Sequence, residues 1–211
     1  MILFSTLKSL CSWLQQSLLL SITTLAIASS SYGATVLILG DSLSAAYGIS
    51  EEQGWVQLLQ DQLPQHQIIN ASVSGEITSG ALRRLPAILA AQDVDVIVIE
   101  LGGNDGLRGF APQQLKENLT QLIQLSQKAN AKVLLTEIMV PPNYGPKYAA
   151  QFNAVYHQLE GSEQVTLVPF FMTEIAPHPR LMQRDSLHPN SEAQPLISAW
   201  MLPYILDSIG D

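Results

Sequence analysis

The 211-residue chain is 47% hydrophobic and 13% charged, which suits one compact core and is too short for two full domains. Its formal net charge of −8 argues against a non-specific grip on nucleic acid, which needs a basic surface. No internal repeat, heptad run or low-complexity tract stands out in it.

Residues 1–33 belong to a different regime. Lys8 is their only charge, the run "LLLSITTLAIA" over Leu18–Ala28 is apolar, and "SSSYGA" follows with small residues. That order describes a secretory signal peptide. A membrane anchor is the competing reading, but a span takes about 20 apolar residues, and Gln15 and Gln16 interrupt this stretch. Cleavage after Ala28 or after Gly33 satisfies the small-residue rule. Gly33 is preferred, because Ala34 then stands just before the first strand. The expected product is one domain over residues 34–211, periplasmic or secreted, with no stable membrane insertion after cleavage. Losing Lys8 takes the net charge to −9. Losing Cys11, the only cysteine, leaves no disulfide, no thiol nucleophile and no zinc–thiolate site.

From Val36 onward, short apolar runs alternate with longer amphipathic ones. Strands are predicted over Val36–Leu39, Ile68–Ala71, Val94–Glu100, Lys132–Thr136 and Val165–Val168. "VDVIVIE" and "KVLLTEI" are apolar enough to be buried on both faces. Helices are predicted over Trp55–Leu63, Ser79–Ala91, Pro112–Ala129, Tyr148–Glu160 and about Ser191–Ser208. Pro112 fits a first helical turn, and Leu115, Leu119, Leu122 and Leu125 share one face of that helix. Of Pro195 and Pro203, one is expected to kink or end the last helix. The alternation predicts an α/β fold with a mostly parallel sheet covered on both sides. Right-handed crossovers then bring every strand's carboxyl end to one rim, where ligands bind.

Four polar stretches follow the strands or lie near the chain's end. "GDSLS" leaves the first strand, with Gly40 allowing a tight exit before Ser42. Alone, Ser42 reads more readily as a helix cap, a common use of serine. "NASVSGE" follows the second, and Gly75 can bring a backbone N–H close to a ligand; a turn glycine is the plain alternative. "IELGGNDGLRGF" follows the third, and the amide of Asn104 can donate to a developing oxyanion, although Asx-turns use the same residues. In "RDSLHPNSEAQP", Asp185 and His188 are three apart, so a carboxylate can orient an imidazole. A metal pair is disfavoured there, since His66, His157 and His178 show no ligand spacing to His188. Together these stretches supply a nucleophile, an oriented base and oxyanion donors, the inventory of acyl transfer. The G-x-S-x-G elbow of α/β-hydrolases is absent.

Gly40-Asp41-Ser42-Leu43, Gly75, Gly102-Gly103-Asn104-Asp105 and Asp185-x-x-His188 resemble, in order, the four blocks of the SGNH, or GDSL, hydrolases. "LGDSLSAAYGI", "ELGGNDGLRGF", "PPNYGPKY" and "HPNSEAQP" are similar to the bacterial periplasmic thioesterase I type, also described as lysophospholipase and arylesterase. The resemblance implies a flavodoxin-like three-layer α/β/α sandwich with five parallel strands. It implies Ser42 as nucleophile, His188 as base and Asp185 as its orienter. The oxyanion hole would be the N–H groups of Ser42 and Gly75 with the Asn104 side chain. Asp105, Gly106, Leu107, Phe110 and Val140 would contact substrate. No metal or cofactor is implied. The expected partner is a small-molecule acyl ester or thioester (fatty acyl thioesters, lysophospholipids, aryl esters), met by a monomer. A carbohydrate acetylesterase, an acyltransferase and a lipid-binding module without catalysis remain open alternatives.

Overall fold

The computed structural model describes residues 33–161 and 165–210. The segment read as a signal peptide lies, up to residue 32, outside the described residues, as does Cys11.

Five strands form one parallel sheet: β1 (Thr35–Gly40), β2 (Gln67–Asn70), β3 (Val96–Glu100), β4 (Lys132–Thr136) and β5 (Val165–Val168), in the order β2-β1-β3-β4-β5. This is the doubly wound, flavodoxin-like order, with its switch point between β1 and β3. The helices are α1 (Trp55–Gln62), α2 (Thr78–Ala91), α3 (Gly103–Leu107), α4 (Pro112–Lys128), α5 (Pro146–Leu159), α6 (Met172–Ile175) and α7 (Gln194–Ile209).

Side chains alternate across a strand, and each face of the sheet collects its own core. Leu37, Leu39, Ile97, Ile99, Val133 and Leu135 pack under α2, α4 and α5. Val36, Ile38, Val96, Val98 and Leu134 pack under α1 and α7, through Trp55, Leu59, Ile197 and Met201. Because both faces are covered, the middle strands must be apolar throughout. β3 obeys this for four residues and breaks it at Glu100, which is fully buried.

β3 starts at Val96 rather than Val94, because Asp95 spends its groups across the sheet's edge. Its carboxylate accepts the Thr35 N–H at 2.7 Å, and its own N–H donates to the Thr35 carbonyl. α7 starts at Gln194 because Asn190 Oδ1 first accepts the N–H groups of Glu192 and Ala193. Pro203 neither ends nor bounds α7, which runs on to Ile209. Pro203 and Ala199, whose carbonyl it leaves without its intrahelical donor, are both exposed, so water can take that carbonyl.

The far end of α7 returns to the amino-terminal rim of the sheet. Lys132, the first residue of β4, donates from Nζ to the carbonyl of Ser208 at 2.6 Å. Residue 33 enters at the same rim, its N–H bonded to Gln65 just before β2.

Candidate active site

The carboxyl-terminal rim holds a cavity of about 510 Å³. Ser42, Gly75, Asn104 and His188 all line it, although 146 positions separate the first from the last.

β1 delivers Ser42 through a turn of tight backbone hydrogen bonds, in which Asp41 O accepts the N–H groups of Ser44 and Ala45. His188 reaches over from the loop before α7. Its Nε2 lies 3.0 Å from Ser42 Oγ, and its Nδ1 lies 2.6 Å from Asp185 Oδ2. Asp185 is itself held in place, since its Oδ1 accepts the N–H groups of Leu187 and His188, both at 3.0 Å. Those bonds, the His188 N–H first and its side chain next, bring the Asp185 carboxyl down to about 2. Asp185 is therefore ionised at any working pH and accepts a hydrogen bond from Nδ1–H, which keeps the proton on that nitrogen. Nε2 is left as the acceptor for the Ser42 hydroxyl. The ring of Tyr47 lies on the imidazole, with centroids 4.4 Å apart.

Gly75 has φ +78°, and a Cβ there would meet nothing within 4 Å. Glycine is needed at that position for its backbone angle rather than for space. Arg108 donates to the Gly75 carbonyl at 3.0 Å and fixes that peptide. Asn104 stands in the first turn after Gly102, whose φ of +119° also demands glycine. One amide N–H of Asn104 donates to Asp41 Oδ2 at 3.0 Å, while Asp41 Oδ1 takes the Leu43 N–H at 3.1 Å. Asn104 has a second amide N–H to offer the cavity. Burial pushes the Asp41 carboxyl up to about 6 against the pull of these donors.

Beyond this polar end the wall is apolar. Leu107 and Val140 contribute, as the sequence suggests, together with Ile138, Pro141, Phe170 and Met172. Tyr47, Met139 and Leu187 line the cavity while staying substantially exposed.

Three residues expected to contact substrate do not line the cavity. Asp105 is buried beneath it and accepts the backbone N–H and hydroxyl of Thr78 at 2.9 and 2.6 Å, which ties α3 to the start of α2. Gly106 is buried where a Cβ would strike Val140 and Phe152, so its part is close packing. Phe110 turns its carbonyl to the Tyr148 hydroxyl at 2.7 Å and stands outside the wall.

Nothing in the sequence pattern marks Tyr47, Met139, Phe170 and Met172, which also line the wall, and Glu100 lies buried at the end of β3. Glu100 carried a signal, as an acid ending an otherwise apolar strand. Among the described residues, no group of three or more His, Cys, Asp or Glu side chains could hold a metal ion, and no helix is long and apolar enough to cross a membrane.

Comparison with known proteins points the same way as the geometry. The profile of the GDSL-like Lipase/Acylhydrolase family matches residues 38–195. The chain is 48% identical to esterase TesA of Pseudomonas aeruginosa over 165 residues, which cover 76% of this chain and 82% of that protein. It is 47% identical over 168 residues to thioesterase 1/protease 1/lysophospholipase L1 of Escherichia coli K12, covering 79% and 81%. The crystal structure of the psychrotrophic esterase EstA from Pseudoalteromonas sp., inhibited by monoethylphosphonate, superposes with a TM-score of 0.80 at 49% identity, covering 84% of this chain and 99% of that one.

Proposed function

The chain belongs to the GDSL-like lipase/acylhydrolase family and is a serine esterase of it, and from that premise we propose that Ser42 is the nucleophile and attacks acyl esters and thioesters through an acyl-enzyme. The observation that carries this reading is the hydrogen-bonded line Ser42–His188–Asp185, with spacings of 3.0 and 2.6 Å, at the mouth of an apolar cavity.

His188 takes the Ser42 proton as Oγ adds to the substrate carbonyl. Asp185 holds the ring and offsets the imidazolium charge. The oxyanion forms where the N–H groups of Ser42 and Gly75 and the free N–H of Asn104 can donate. His188 then protonates the leaving alcohol or thiol. Water, deprotonated by the same imidazole, releases the acid in a second pass.

The apolar wall and the exposed Tyr47, Met139 and Leu187 favour an apolar acyl chain over a sugar ester. Fatty acyl thioesters, lysophospholipids and aryl esters are the substrates proposed. With its acidic net charge the enzyme would meet lipids as monomers or neutral micelles rather than on anionic membranes. It acts as a monomer in the periplasm or outside the cell, after cleavage of a signal peptide near Gly33 or Ala28.

Fluorophosphonate labelling with identification of the modified residue tests the assignment. Wild type should carry the label on Ser42, and Ser42→Ala should neither label nor turn over a p-nitrophenyl ester. Label on another residue, or full turnover by Ser42→Ala, refutes it. A series of acyl esters from two to sixteen carbons separates the substrate readings. Preference for acetyl alone would indicate a carbohydrate acetylesterase, and ester products with an added alcohol a transferase.

A further inference from the structure

Glu100 has no part in the mechanism above, yet it sits directly beneath the nucleophile. It ends β3 in register with Gly40 of β1 and is fully buried. The missing side chain of Gly40 makes its room, since a Cβ at position 40 would stand 2.7 Å from Ser44 Oγ and 2.9 Å from Glu100 Oε2. That oxygen accepts the Ser44 hydroxyl at 2.7 Å and the Asp41 N–H at 3.4 Å. One carboxyl oxygen thus holds the residue before Ser42 and the residue two after it.

The chain of contacts continues. The Asp41 carboxylate accepts the Leu43 N–H and the Asn104 amide. Glu100 therefore connects, through one residue, to both the nucleophile turn and the side-chain oxyanion donor. Its other oxygen, Oε1, is buried with no hydrogen-bond partner, as is Oγ1 of Thr136, one step beyond the Ile99–Leu135 pair on the adjacent strand. Among the described residues no cation pairs with Glu100. The ionisable group facing it from the β1 turn is Asp41, and behind Asp41 stand His188 and Asp105. A buried carboxylate without a cation is strongly disfavoured. Burial, and the Asp41 carboxyl beside it, push the Glu100 carboxyl well above the usual range. A neutral acid here adds no charge to the pocket beneath the reacting atoms.

We propose that Glu100 is a positioning residue for ester hydrolysis: by holding Ser44 and the Asp41 backbone it fixes the turn that aims Ser42, and through Asp41 it sets the amide of Asn104. The proposal rests on Ser42 being the nucleophile.

The test compares Glu100→Gln, Glu100→Leu and Ser44→Ala, with kcat expressed per active site titrated by fluorophosphonate. A role in folding alone lowers the number of titrated sites and leaves kcat per site unchanged. Displacing a reacting group by about 1 Å costs up to about 100-fold. Glu100→Leu, which fills the space and loses the acceptor, should therefore lower kcat per site by about 10- to 100-fold with KM little changed. Ser44→Ala, which removes one hydroxyl from the turn, should lower it by about 10-fold. Glu100→Gln keeps an acceptor, the size and neutrality, and should stay within about 3-fold of wild type. Wild-type kcat per site in both Glu100→Leu and Ser44→Ala overturns the proposal, as does a Gln variant as slow as the Leu variant. Should Glu100→Leu fail to fold, Ser44→Ala decides alone. Failure of wild type to label on Ser42 would refute the nucleophile assignment instead, so the two outcomes stay separate.

Discussion

Asp41→Asn should give a slower protein whose stability relative to wild type grows as the pH rises. Asp41 is 3% exposed, and burial lifts its carboxyl from 3.8 to about 6. Below pH 3.8 both the folded and the unfolded chain hold the proton, and burial of this group then carries no charge penalty. Above pH 6 both have lost it, and the fold must keep a charge in a poor solvent. At roughly 1 kcal/mol per pH unit between these two values, this costs the native state about 3 kcal/mol at pH 8 and less than about 1 kcal/mol at pH 4. Asparagine cannot ionise. Its stability relative to wild type should therefore rise by about 2 kcal/mol between pH 4 and pH 8. Glu100 beside it would ionise more readily in the variant, which acts in the same direction. Urea unfolding followed by circular dichroism at pH 4, 6 and 8 measures this. A stability difference that stays constant across that range would refute the reasoning. The same substitution turns an amide N–H toward Asn104 Nδ2, replacing an acceptor with a donor. Turnover of an aryl ester should fall by about 10- to 100-fold, since Asn104 loses its anchor.

Asn104→Ala removes the proposed oxyanion donor and should reduce kcat by about 100- to 1000-fold, measured on the same ester, with Ser42 still open to labelling. Asp185→Asn keeps the loop's two backbone hydrogen bonds but sets an amide against Nδ1; kcat should drop by about 1000-fold or more, with circular dichroism unchanged. Gly102→Ala forces a side chain into positive φ and against the Tyr156 hydroxyl, which donates to Leu101 O at 2.9 Å; urea unfolding should show a loss of at least about 2 kcal/mol.

The fold was legible because burial on both faces leaves few choices of residue. β4 and β5 run over the same residues as the predicted strands, and "VIVIE" could only be a central strand. The errors lie where side chains compete with the backbone. Asp95 shortens β3 and Asn190 delays α7, and neither effect shows in a hydrophobic period. That α7 continues past Pro203 depends on Ala199 facing solvent, a tertiary fact that no local pattern shows. At the site, residue types pointed to Ser42, Gly75, Asn104, Asp185 and His188, and the rim brings these together. Spacing could not say that Asp105 faces α2 while Leu107, two residues on, faces the cavity. Nor could it find Phe170, in the loop after β5, and Met172, the first residue of the single-turn α6, since neither segment is long enough to show a pattern of its own.

The return of α7 to the start of β4 places residues 33 and 208 on one rim of the sheet, with the mouth of the cavity on the other. A tag, a carrier domain or a solid support attached ahead of Ala34 or after Ser208 would be grafted some six strand residues, or about 20 Å, from the Ser42 hydroxyl. An immobilised form of this domain should therefore present its open pocket away from the surface that carries it, whichever end is used for coupling.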